Sequence, residues 1–184
     1  MNKHIKIFRR VGYFTKEGII IWYILVCQGQ DEQQILDSCR GILSGKSLTD
    51  AFVLTYDRMR RYEGNWHLEK CILFPERVFL ESSNEKALRN ALRHCQNIME
   101  QKISLIRLEI QDEMFLRDLC GKEKHMKMSR GVIQKGGARV TEGPLKGNEN
   151  RIGKIDRHRR LARLKFTGHE LGNVWAGLEI FEKN

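Results

Sequence analysis

No stretch of this 184-residue chain stays apolar long enough to cross a bilayer. The most apolar run, Ile19 to Cys27, falls far short of the roughly 20 residues a spanning helix needs. It follows Lys16 and Glu17, and no small-residue cleavage site comes after it, so neither an anchor nor an export signal is expected. Paired cysteines are missing too. Cys27, Cys39, Cys71, Cys95 and Cys120 are an odd, scattered set without a C-x-x-C pair, which argues against a disulfide framework and for a reducing, cytoplasmic setting. The six histidines are equally dispersed. His94 and Cys95 are neighbours in sequence, and neighbours on a helix do not face each other, so no metal site is expected.

Catalytic groupings are absent as well. Asp156 near His158 has no nucleophile, and Asp37-Ser38 has no nearby base. Gly136-Gly137 lacks both the lysine and the following helix of a phosphate loop. An enzyme is not expected, and neither is a cofactor. Prolines number only two, so Pro75 and Pro144 should each mark an edge or a turn.

What the chain does have is positive charge, and it is concentrated. Of the formal net charge of +10, all falls between Gly121 and Lys165, where 14 Lys/Arg face 4 Asp/Glu; the rest of the chain balances at 19 against 19. Such a segment attracts phosphate polyanions, although a solvated basic linker would read the same way from charge alone.

Hydrophobic spacing supplies the elements. Residues 1–18 are basic and without period. Ile19 to Cys27 reads as a central strand, and Asp31 as the cap of a helix carrying Ile35, Cys39 and Ile42. Ala51 to Thr55 predicts a strand, followed by an arginine-bearing polar loop with Gly64-Asn65. Trp66 to Phe74 predicts another strand, and Val78 to Leu80 resumes extended structure. Ser82 and Glu85 have the spacing of a capping box before a helix with Leu88, Leu92, Cys95 and Met99 on one stripe. Ile103 to Ile110 predicts a strand and Asp112 to Leu119 a short helix. The order β-α-β-β-α-β suits a split βαβ sheet sandwich. After an expected linker at 121–134, short glycine-punctuated strands predict a small barrel over 135–184, with Ala162, Leu164 and Phe166 inward and Arg163 and Lys165 outward.

Three groups of residues then carry a resemblance. Ala138 to Gly147, with its Gly143-Pro144 turn, resembles the start of a KOW motif. Trp22-Tyr23 on the first strand and Phe74-Pro75 leading into Val78-Phe79-Leu80 resemble the two signatures of the NusG N-terminal domain. Order and separation match from about Ile21 to the end. The segment Gly143 to Gly147, followed by Lys154 to Arg160, is similar to specialised LoaP-type paralogues. Two departures accompany this: Glu76-Arg77 stands where the family has Gly-Tyr, and the motif's glycine falls at Asn150, a residue suited to left-handed backbone.

The resemblance implies an α+β protein: an N-terminal extension at 1–18, a NusG-type αβ sandwich at 19–120, the linker, and an SH3-like KOW β-barrel at 135–184. It implies a monomeric antitermination and elongation factor for particular long operons. Trp22, Tyr23, Phe74 and Pro75 would dock on the clamp coiled coil of RNA polymerase, with core packing as the plainer role for Trp22 and Phe74. Arg58, Arg60 and Arg61 would face non-template DNA or the polymerase cleft, unless they are a solvated hairpin tip. Lys154, Arg157, His158, Arg159, Arg160, Arg163 and Lys165 would meet a nascent RNA hairpin. A general NusG-type factor and a ribosome-associated KOW protein are the competing readings, with the ribosome as a further candidate partner.

Overall fold

The computed structural model describes residues 14–15, 18–29, 31–42, 47–94, 104–134 and 136–183. In chain order come β1 (Phe14–Thr15), β2 (Gly18–Ile19), β3 (Ile21–Val26), α1 (Glu32–Ile42), β4 (Asp50–Phe52), β5 (Thr55–Tyr62), β6 (Asn65–Ile72), β7 (Arg77–Ser82), α2 (Glu85–Arg93), β8 (Ser104–Arg107) and α3 (Ile110–Cys120). Then follow β9 (His125–Met126), β10 (Ser129–Gln134), β11 (Gly137–Glu142), β12 (Ile152–Asp156), β13 (Leu161–Leu164) and β14 (Val174–Lys183). The architecture is mixed α+β, with few helices and several sheets. Among the described residues no helix is long and apolar enough to cross a membrane.

The chain divides into two units. The first comprises Met1–Val53 and Glu76–Leu108, the second Leu54–Pro75 and Glu109–Asn184. This differs from a division at residues 19–120 and 135–184, because the β5–β6 hairpin and α3 belong with the C-terminal strands.

In the first unit an antiparallel sheet runs β4-β7-β3-β8. β3 is apolar without alternation because it lies between two partners and is buried on both faces. Tyr23 and Leu25 point to the face where Ile35, Leu36 and Cys39 of α1 and Leu88 and Leu92 of α2 complete the core. Asp31 begins α1 as expected: its carboxylate accepts from the Gln33 N–H at 2.7 Å. The second helix is capped differently from the expected box. Asn84 is the cap and accepts from Ala87 N–H, while Ser82 accepts from Asn84 N–H and donates to the Ser47 carbonyl. Glu85 instead pairs with Arg89 one turn on. Cys95 and Met99 lie outside the described residues.

In the second unit β5 and β6 form one long hairpin, extended by a parallel pairing with β9. Its turn residues Glu63 and Gly64 both have positive φ, the pattern of a type I′ turn that matches strand twist. Arg58, Arg60 and Arg61 therefore sit on a strand and not in a loop. A five-stranded sheet runs β11-β10-β14-β13-β12.

The segment expected as a linker contains β9 and β10. The cause is a carboxylate on the hairpin: Asp57 meets His125 Nε2 at 2.9 Å and accepts from Met128 N–H at 3.1 Å, while Thr55 Oγ1 meets His125 Nδ1. Two glycines govern close approach. A Cβ on Gly177 of β14 would lie 2.4 Å from the Asp57 carbonyl oxygen and from Met128 Sδ. Gly143, with φ 91, has Met128 oxygen and Ser129 Cα at 2.7 Å from the same virtual atom. Asn150 is not left-handed; it lies in a short 3-10 turn at Glu149–Arg151, and Gly147 supplies positive φ before it.

Candidate nucleic-acid interface

The β12–β13 hairpin builds the densest basic surface. Asp156 accepts from the Arg159 N–H at 3.0 Å, fixing the tip as a tight turn, and Arg160 leaves it with φ 54. Lys154 and Arg163 are cross-strand partners, and Trp175 of β14 pairs with Arg163 on the other side. Lys154, Arg163 and Trp175 thus form a row across three strands. A slip in register at Gly153 separates Ile152 from Lys154, and the Lys165 stem lies against Gly153.

The seven residues expected here are not equivalent. Lys154, Arg157, His158, Arg159 and Lys165 are exposed. Arg163 is half-buried in its row. Arg160 is a structural group: its guanidinium binds Glu179 at 2.8 Å and lies 3.9 Å over the Trp66 ring, while its carbonyl accepts from Leu178 N–H. Some of the neighbouring charge is also neutralised internally, since Arg130 shares Glu179 and Arg151 pairs with buried Asp112.

The contact of Arg160 with Trp66 has a further consequence. Trp66 is the cross-strand partner of Arg61. Arg61 and Arg160, distant in sequence, therefore both adjoin Trp66. Arg61 is exposed there, on the Trp66 face. On the opposite face of the hairpin lie exposed Arg60 and half-buried Arg58, and there Tyr62 and His67 stack, with ring centroids 3.7 Å apart and 12° between planes. Trp66, Tyr62, His67 and Trp175 were not singled out for this role in the sequence. The period-2 pairing about Gly64 is the signal that places the first three beside the arginines.

The expected polymerase-docking residues are placed otherwise. Trp22 is fully buried, edge-on to Phe52 and Phe79, and its indole N–H donates to Glu81 at 2.6 Å. Tyr23 is buried in the helix-covered core of the first unit. Phe74 is 1% exposed and meets Phe166, which also contacts Phe115. A surface anchor must be exposed, so in this conformation only Pro75 of the four fits that description. Glu76 has a positive φ of 60°, a conformation uncommon for a residue with a side chain. Hydrogen bonds hold it there: its carbonyl accepts from Cys27 N–H, and its carboxylate accepts from Gly29 N–H.

Among the described residues no group of three or more His, Cys, Asp or Glu could hold a metal ion. Burial pushes the Cys27 thiol up to about 11 and the Cys120 thiol up to about 12, far from the range of a reactive thiolate.

Comparison of whole structures finds a NusG-like fold for this mixed α+β chain. A solved structure described as "Domain interaction in Thermotoga maritima NusG" is similar with a TM-score of 0.51 and 17% identity, covering 88% of this chain and 94% of that one. No protein-family model and no curated protein matches the sequence.

Proposed function

We propose that this protein is a NusG-type transcription elongation factor that accompanies RNA polymerase and holds nucleic acid against its second unit. It would act in antitermination on particular long operons, as the LoaP-type resemblance implies, and the five-stranded sheet of the second unit would be its KOW barrel. The observation that carries this reading is the meeting of Arg61 and the 157–160 tip through Trp66 and Arg160, in a chain with the NusG-like fold. Cations with adjoining aromatic rings suit a nucleic-acid backbone with unpaired bases. The mechanism is differential binding: a factor with higher affinity for the elongating state shifts polymerase towards it without bond chemistry.

Polymerase would be engaged around Pro75, near the family's docking signature. Co-purification of RNA polymerase with the tagged full-length protein tests the reading. Retention of polymerase and RNA together supports it. Retention of ribosomes alone would favour the ribosome-associated alternative, and retention of neither would remove both.

A further inference from the structure

Beside the basic row lies a depression of about 350 Å³, lined by Arg163, Lys165, Phe166, His169 and Asn173 among others. Its walls differ from a solvated basic surface in three ways. Arg163, Lys165 and His169 border one small volume. An aromatic ring, Phe166, forms part of the lining, and its position is set by contacts with Phe74 and Phe115. The backbone beneath is also fixed from below. The buried Asp112 carboxylate accepts from the N–H groups of Thr167 and Gly168 at 2.8 to 3.0 Å, and Lys165 N–H donates to the Arg151 carbonyl. Arg151 closes the arrangement by pairing with Asp112 and lying over the Phe115 ring.

These features match the parts of a single nucleotide. A volume near the bottom of the roughly 300–1,000 Å³ range of ligand sites has room for one such group. Phe166 offers a face to a base, Asn173 offers both a donor and an acceptor to a base edge, and the cations offer partners to a phosphate. RNA recognised in sequence-dependent fashion is recognised mainly at unpaired nucleotides of this kind. The exposed tip at Arg157 and Arg159 stands on the same sheet, where it can hold the flanking backbone.

We propose that the Arg163–Lys165–Phe166–His169–Asn173 depression is a binding site for one unpaired nucleotide of RNA. The site thereby reads a bulge or loop, while the 157–159 tip supplies affinity without discrimination. This rests on the nucleic-acid-binding function proposed above and names what part of the RNA is recognised.

The test compares two fluorescein-labelled RNA hairpins at one salt concentration, identical except for a single bulged nucleotide in one stem. Full-length protein should bind the bulged hairpin about tenfold more tightly, a difference of about 1.4 kcal/mol. The double variant Lys165→Ala/His169→Ala removes two exposed side chains and should bind both hairpins alike. Arg157→Ala/Arg159→Ala should weaken both hairpins equally and keep the tenfold ratio. Equal binding of the two hairpins by the parent protein would overturn the site, as would a ratio that survives Lys165→Ala/His169→Ala. Free AMP, GMP, CMP and UMP form a further arm: tight binding of any of them, without preference for the bulge, would assign the depression to a free nucleotide and overturn the RNA site. Polymerase co-purification on the same preparations separates the two proposals, since retained polymerase with no bulge preference removes the nucleotide site alone.

Discussion

Arginine 160 shows how a residue's neighbours decide its role. By charge it belongs with Arg157 and Arg159, but Glu179 neutralises it and Trp66 covers one face of its guanidinium. Arg157→Ala/Arg159→Ala should therefore flatten the salt dependence of RNA binding by about two, one for each lost phosphate contact, without lowering stability. Arg160→Ala should instead lower the denaturation midpoint, because it leaves Glu179 with one fewer partner and uncovers Trp66. A salt titration and a urea melt on the two variants distinguish these outcomes; equal behaviour in both assays would contradict the assignment. Phe74 follows the same logic. Buried among Phe166 and its neighbours, Phe74→Ala should cost about 3–5 kcal/mol of stability. Loss of polymerase binding with unchanged stability would return it to the docking surface.

The cysteines give a second expectation at this scale. Burial disfavours the thiolates of Cys27 and Cys120, so their stabilising contribution is whole below the ordinary value of 9.0 and is lost as pH rises through about 11 and about 12. Stability should accordingly decline above pH 9. At neutral pH, alkylation followed by mass spectrometry should label half-buried Cys71 before Cys27, Cys39 or Cys120. Early labelling of Cys27 or Cys120 would show that these sites open readily.

At the scale of elements, docking of the β5–β6 hairpin on β14 depends on a missing side chain. Gly177→Ala places a methyl group on backbone oxygen and on Met128, so the strands must separate or the mutation must cost stability, by about 1–3 kcal/mol. Hydrogen exchange should then speed up in β5 and β9. A variant as stable and as protected as the parent would mean that the hairpin is not held there. This element also marks the limit of what sequence reading can reach. Local patterns were legible: the unbroken apolar run of β3, the Asp31 cap, and the inward Ala162 and Leu164, which are both buried. Long-range partners were not. Nothing local at 121–134 shows that Asp57, some seventy residues earlier, will bind His125 and Met128 and draw the segment into strands. Likewise the arginines at 58–61 looked like a loop because the type I′ turn carries Glu63, an unusual residue at positive φ. The basic cluster was visible as composition. Which of its members are neutralised, and the depression beside it, depend on Glu179, Asp112 and Phe115 arriving from elsewhere in the chain.

For the molecule as a whole, the fold supplies a frame and the 121–165 segment of the second unit supplies the concentrated basic charge. Under the elongation role proposed above, the protein's effect should appear in how long polymerase remains in its elongating state. Single-round transcription across an intrinsic terminator, with RNA polymerase from the source organism and the purified full-length protein, measures this most directly. The leader should include the RNA hairpin that the protein prefers. The account predicts a larger fraction of read-through transcripts with the protein present, falling towards the level without protein for Arg157→Ala/Arg159→Ala. Unchanged termination at protein concentrations that saturate polymerase would contradict it.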